Sequence, residues 1–181
     1  MQLEKIIDND IFLFKKEVHI DERGSLSETY LYDFINNNLG FNFKVLQENF
    51  VKSKKNVIRG LHFQSSPHYQ GKLVSVLHGE IFDVIVDIRR ESKNYLNTYQ
   101  FKLSEANQRI LFIPKGFAHG YLTISESSTV IYKVDSYYNK KFELGLNCFD
   151  KNLDIKWPVK KEELIINERD KNYPELNEIL F

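Results

Sequence analysis

The sequence predicts a mostly β protein with a few short helices, built as an antiparallel double-sheet jelly roll (a double-stranded β-helix) or a barrel. Three observations carry that prediction. Short runs rich in Val, Ile, Phe and Tyr recur along most of the chain, Gly, Pro, Asn, Asp and Ser separate them, and a single stretch reads as helix. The runs are FKVLQENFVK (43–52), NVIRGLHFQ (56–64), KLVSVL (72–77), IFDVIVDI (81–88), TYQFKL (98–103), RILFIP (109–114) and TVIYKVDSYY (129–138). LYDFINNNLG (31–40) is the expected helix, stopped by Gly40, and PELNEILF (174–181) is expected to add a terminal helical turn. Neither repeats nor a linker interrupt the pattern, so residues 1–181 are expected to form one domain around one core.

Bulk charge excludes some partners. Lysine plus arginine (25) equals aspartate plus glutamate (25), which gives nucleic acid or an anionic membrane no electrostatic reason to bind. A small cationic pocket remains compatible with that balance. Runs of 18 apolar residues are missing, and MQLEKIIDND carries charges where a signal peptide needs an apolar stretch. Cys148 is the only cysteine, so an internal disulfide is impossible and a reducing compartment is expected. The expectation is a cytoplasmic protein.

The His78-Gly79-Glu80 segment suits a two-residue hairpin loop. Pairing across it places Lys72 and Val74 on one face with Asp83 and Ile85. Leu73, Leu77, Phe82, Val84, Val86 and Ile88 then form a uniformly apolar opposite face.

RGLHFQSSPHYQGKLV (59–74) interrupts its strand pattern with Arg59, His62 and Lys72. A lone strand histidine is ordinarily structural or solvated. Here Gly60 suggests a bulge, which would bring Arg59 and His62 to the same side against strict alternation. A histidine base beside a fixed cation is the minimal kit for removing a proton next to a carbonyl. In IPKGFAHGYLT (113–123) Pro114 and Gly116 make a turn, a tight corner between strands, and backbone crowding is expected at Gly120. TVIYKVDSYY sets Tyr132, Val134 and Ser136 on one face. Tyr132 is ordinarily a half-buried strand residue, yet it is able to return a proton to an enolate. The five histidines lack a His-x-His pair, the i, i+4 metal spacing is missing, and nucleotide-loop and serine-elbow motifs are absent.

Together these stretches resemble the dTDP-4-dehydrorhamnose 3,5-epimerases, metal-independent jelly rolls of the cupin class. The resemblance runs from about Asp21 to Pro174. It comprises DERGSLSETY, QEN (47–49), RGLHFQ with GKLV, GEIFDVIVDIR, IPKGFAHGYL, the Tyr132-Lys133 pair, YYN, and WP followed by NERD. It implies that His62 removes the proton α to a 4-keto group, that Asp170 orients His62, that Lys72 stabilises the enolate, and that Tyr132 is the acid on the opposite face. It further implies that Arg23, Glu28, Gln47, Glu48, Asn49, Arg59, His119, Glu143 and Arg169 bind a nucleotide-diphosphate sugar. Tyr138 would stack on its base. It implies that neither a cofactor nor a metal is used. It also implies a homodimer whose N-terminal strands cross to the partner, so that Arg23 and Glu28 complete the neighbouring site. Asp83 is expected to support Lys72 across the hairpin face.

The chain departs from the family pattern at Leu26, where an aromatic usually helps sandwich the base, and at Lys140, Cys148 and Asn167. Leu26 leaves GDP- or CDP-linked 4-keto sugars, heptoses and single-carbon epimerisation open as alternatives. A metal-dependent oxygenase would need a histidine cluster, and a sugar-binding module would not need His62, Lys72, Tyr132 and Asp170 together.

Overall fold

A computed structural model describes residues 1–178. Its strands, in chain order, are β1 (Gln2–Ile7), β2 (Ile11–Lys15), β3 (Val18–Asp21), β4 (Gly24–Ser27), β5 (Gln47–Lys54), β6 (Ile58–Gln64) and β7 (Lys72–His78). They continue as β8 (Glu80–Asp87), β9 (Thr98–Ser104), β10 (Arg109–Ile113), β11 (Phe117–Thr123), β12 (Ser127–Val134) and β13 (Glu143–Gly145). A six-stranded sheet, β1-β2-β10-β7-β12-β5, faces a five-stranded sheet, β13-β6-β11-β8-β9, and β3 and β4 form a separate hairpin. The expected antiparallel jelly roll is the fold found.

Alternation along each strand divides its side chains between two environments. Inward residues from both sheets, among them Leu13, Val74, Ile85, Leu111 and Val130, form the central apolar layer. Outward residues are covered as well. Helix α1 (Tyr32–Leu39) buries Ile35 and Leu39 over Phe12, Phe14, Leu73 and Phe112. Gly40 ends this helix in the left-handed conformation (φ 74°), as expected. On the far side, Leu61, Val84, Val86 and Leu122 lie under Leu146, Leu153 and Trp157 of the C-terminal segment. Burial on both faces erases the in–out alternation, which is why β2 (IFLFK) gives no strand signal of the half-buried kind. The expected terminal turn appears as a 3₁₀ turn at Leu176–Glu178, and the rest of that stretch lies outside the described residues.

The expected hairpin at His78-Gly79-Glu80 is corrected. β7 pairs with β10 and β12, whereas β8 pairs with β11 and β9, so the chain crosses from one sheet to the other at Gly79 (φ 76°). A positive-φ glycine permits either course, and the partners of the two strands decide between them. Lys72 and Asp83 still share an environment, because both point between the facing sheets. The apolar set opposite them is split, with Leu73 under α1 and Val84 and Val86 under the C-terminal segment.

The turn expected at Pro114 and Gly116 is found between β10 and β11, and Phe117–Thr123, with the crowding expected at Gly120, is a buried strand between β6 and β8. Its ladder with β6 slips between His119 and Tyr121, which is the irregularity Gly60 foretold. At Gly60 (φ 113°) an added Cβ would lie 2.6 Å from Gly120 Cα and from the His119 carbonyl oxygen. At Gly120 it would lie 2.6 Å from the Arg59 carbonyl oxygen. Paired glycines thus let two backbones touch, and the slip turns Arg59 and His62 toward one cavity.

Candidate active site

That cavity, of about 200 Å³, is lined by Val51, Arg59, His62, Lys72, His119, Gly120, Tyr121, Tyr132, Glu143 and Arg169. On the five-stranded sheet, His62 Nε2 hydrogen-bonds Asp170 Oδ1 at 2.9 Å. Asp170 sits on the short helix α2 (Glu168–Lys171), whose Asn167 cap accepts from the Asp170 backbone N–H at 2.7 Å. Its second oxygen accepts from the Gly60 N–H at 3.0 Å. Burial opposes the charge on Asp170, but the His62 and Gly60 hydrogen bonds and the Arg169 guanidinium outweigh it, and the pKa falls below the usual carboxylate value. An ionised carboxylate selects the imidazole tautomer whose proton is on Nε2, which leaves Nδ1 with the lone pair.

Lys72, at the start of β7 on the facing sheet, reaches across to donate to the His62 carbonyl oxygen at 3.4 Å. Burial lowers its pKa to about 8, against the charges of Asp83 and Glu143. The expected Lys72–Asp83 pairing is corrected in its partner. Asp83 Oδ2 hydrogen-bonds His119 Nε2 at 2.9 Å, and Asp83 acts on Lys72 only through its charge. His119 and Asp83 lie on adjacent strands, and the sequence separation of 36 hides the contact. Burial also lowers the His119 pKa, with Asp83 opposing and Lys72 and His62 reinforcing. The site thus holds two aspartate–histidine pairs and one desolvated ammonium.

Tyr132 projects from β12 of the six-stranded sheet, so His62 and Tyr132 approach the cavity from opposite walls. Burial raises the Tyr132 pKa, the nearby Arg59 opposes this and Glu143 adds to it, so the phenol stays protonated. Arg59 Nε donates to Ser53 Oγ at 3.0 Å. At the mouth, Glu143 Oε2 accepts from Tyr138 Oη at 2.8 Å and from Arg169 Nη1 at 2.7 Å. Gln47 accepts from the Tyr138 backbone N–H at 3.0 Å and donates to Asn49 at 2.9 Å.

Three of the expected residues lie away from this cavity. Strand alternation turns Glu48 to the opposite face of β5, where it pairs with Lys133 at 2.7 Å. Arg23 and Glu28 are exposed in the β3–β4 region, and Arg23 is held by Asp21. Sequence reasoning missed Ser53, Tyr121 and Tyr173. Tyr173 packs its ring edge-on against His62 with centroids 5.6 Å apart, and its place three residues after Asp170 was the available signal. A larger open depression of about 450 Å³ lies among Phe63, Tyr69, Ile88, Arg89 and Lys115, but no histidine lines it. The smaller cavity holds the groups able to move protons.

Comparison with known proteins agrees with this geometry. The family model described as dTDP-4-dehydrorhamnose 3,5-epimerase matches residues 6–178. A dTDP-4-dehydrorhamnose 3,5-epimerase of Shigella flexneri is 39% identical over 90% of this chain and 89% of its own. One from Methanothermobacter thermautotrophicus is 41% identical over 92% and 89%. The crystal structure of a dTDP-6-deoxy-D-glucose-3,5-epimerase from Legionella pneumophila, in complex with dTDP-4-keto-L-rhamnose, superposes with a TM-score of 0.92. It is 37% identical and covers 98% of this chain and 93% of its own.

Proposed function

The chain belongs to the dTDP-4-dehydrorhamnose 3,5-epimerase family, and from that premise we propose how its cavity inverts two carbons of one sugar. The substrate is a dTDP-linked 4-keto-6-deoxyhexose and the reaction is epimerisation at C3 and C5. The GDP- and CDP-linked alternatives give way to dTDP, the nucleotide named for these relatives. A cavity of about 200 Å³ is below the ≈ 300–1,000 Å³ of pockets that enclose whole ligands. It accommodates the hexose and leaves the nucleotide along the mouth, at Gln47, Asn49 and Tyr138.

One observation carries the mechanism: His62 and Tyr132 hang from opposing sheets around one cavity. His62, oriented by Asp170, takes the proton from C3 or C5. Both carbons flank the C4 ketone, so one carbonyl acidifies both protons. The electron pair moves onto the C4 oxygen, where Lys72 stabilises the enolate. Tyr132 then delivers a proton from the other face, which inverts the centre. An acid and a base on a single wall would restore the original configuration. Release of the His62 proton and reprotonation of Tyr132 reset the pair for the second carbon. His119, held by Asp83, faces the sugar, and Arg59 and Arg169 bind the diphosphate.

The reading extends to a single-domain enzyme acting in the cytoplasm as a homodimer. Exposed Ile20 and Leu26 on the β3–β4 hairpin, with exposed Phe50 on the edge strand β5, support exchange of that hairpin. Arg23 and Glu28 would then serve the neighbouring site. The free, buried Cys148 fits a reducing compartment. Incubating dTDP-4-keto-6-deoxyglucose with the enzyme in D₂O tests the function. Deuterium should enter both C3 and C5, and its absence from both would reject the epimerase reading.

A further inference from the structure

We propose that Tyr121 is a further sugar-contacting residue, whose hydroxyl hydrogen-bonds an oxygen of the hexose when it fills the cavity. The proposal deepens the epimerase reading above and rests on it. Tyr121 lies on the inward face of β11, directly across the ladder from Arg59 on one side and Asp83 on the other. Its ring belongs to the central apolar layer, against which Tyr132 also packs, and it lines the same cavity as His62, Lys72 and Tyr132. The residue is 4% exposed, and its hydroxyl is buried without a hydrogen-bond partner. Ser53 lies close enough to oppose the rise that burial causes in the Tyr121 pKa, but its Oγ forms no hydrogen bond of normal geometry with the phenol and accepts instead from Arg59 Nε at 3.0 Å.

A buried phenol that lacks a partner costs the free protein stability, and phenylalanine would fill the same volume without that cost. Tyr138 at the mouth donates to Glu143, and Tyr173, whose hydroxyl also has no partner, packs its ring on His62 but does not line the cavity. Tyr121 has a polar atom with no such use inside the protein. A hexose is rich in oxygens able to accept or share that proton, whereas the nucleotide lies toward the mouth. The hydroxyl is therefore assigned to the sugar.

The test is Tyr121→Phe in the full chain, with Tm, dTDP affinity and turnover of dTDP-4-keto-6-deoxyglucose measured side by side. Three results are expected together. The ligand-free Tm should rise by about 2–4 °C as the unpaired hydroxyl is removed. Affinity for dTDP, which lacks the sugar, should stay within about twofold, and kcat/KM should fall about tenfold, the loss of one neutral hydrogen bond. Unchanged kcat/KM in a folded variant overturns the assignment. A parallel loss of dTDP affinity overturns it as well, since the hydroxyl would then act on the nucleotide or on the cavity as a whole. A wild-type enzyme inert toward the 4-keto sugar is a different outcome, and it removes the epimerase reading on which the assignment rests.

Discussion

Replacing Lys72 by methionine should make the enzyme more stable while disabling it. The Lys72 side chain is buried, forms no ion pair among the described residues, and has a pKa lowered from 10.5 to about 8. At neutral pH the ammonium is charged in both folded and unfolded chains, and this displacement is a folding penalty of about 3 kcal/mol. Methionine fills a similar volume without charge. The variant forfeits the long hydrogen bond from the ammonium to the His62 carbonyl, about 1.5 kcal/mol, so a net gain of about 1.5 kcal/mol remains. In a domain of this size that corresponds to about 3–6 °C in Tm. The gain is pH-dependent with a definite sign. Between pH 8 and 10.5 the unfolded lysine holds its proton and the folded one does not, so the wild type gains stability as pH rises and the difference from the variant shrinks. Urea unfolding of both proteins at pH 7 and pH 10, with turnover at pH 7, checks all of this. Turnover should fall by about a hundredfold or more, because the enolate loses its cation. A variant less stable than wild type at pH 7, or a stability difference that ignores pH, would falsify the account of Lys72 as an unpaired buried cation.

Four further outcomes follow from the same geometry. Tyr132→Phe should slow inversion by about a hundredfold or more, yet substrate recovered from D₂O should carry deuterium with its configuration retained, because His62 still removes and returns a proton on its own face. Asp83→Asn removes an anionic neighbour that supports the charge on Lys72, so the alkaline limb of kcat/KM should move below pH 8; an unmoved limb would disconnect Asp83 from the reaction. Gly60→Ala drives a Cβ to 2.6 Å from Gly120 Cα at a φ of 113°, and chemical denaturation should show a loss of about 3 kcal/mol or more. Ile20→Asp places a charge on a residue 79% exposed in the β3–β4 hairpin, and sedimentation should show monomers with reduced activity if that hairpin is exchanged.

Features legible in the sequence were those set by local chemistry. Gly40 stops α1 because a left-handed residue must end the helix there, and period-two alternation separates Tyr132 from its neighbour Lys133, which points to the other face and pairs with Glu48. The same alternation, applied through the Gln47-Glu48-Asn49 run, is what carries Glu48 away from the cavity. What remained hidden depends on partners distant in the chain. Gly79 is the right residue for a hairpin and equally right for a crossing between sheets. Only the pairing of β7 with β10 and β12 tells the two apart. The His119–Asp83 contact stayed out of reach for the same reason, since only the pairing of β11 with β8 brings the two side chains together. Gly120 on β11 is there for the approach of β6.

Several polar groups around the cavity break the rules a core ordinarily follows. Asp83 Oδ1, Tyr121 Oη and Tyr173 Oη are buried without partners, and Lys72 is a desolvated cation without an ion pair among the described residues. A core selected for stability alone would fill those positions with apolar side chains. Instead Lys72, Asp83 and Tyr121 occupy inward positions on strands whose neighbouring inward residues are Val74, Ile85 and Phe117, all buried. The sandwich supplies rigidity from these neighbours to the polar groups that face the cavity. Rigid walls suit inversion, because the enolate must be held still while protons leave and arrive on opposite faces. The costs of holding Lys72 charged and Tyr121 unpaired are those expected if the proposed acid, base and cation are to stand on two facing sheets.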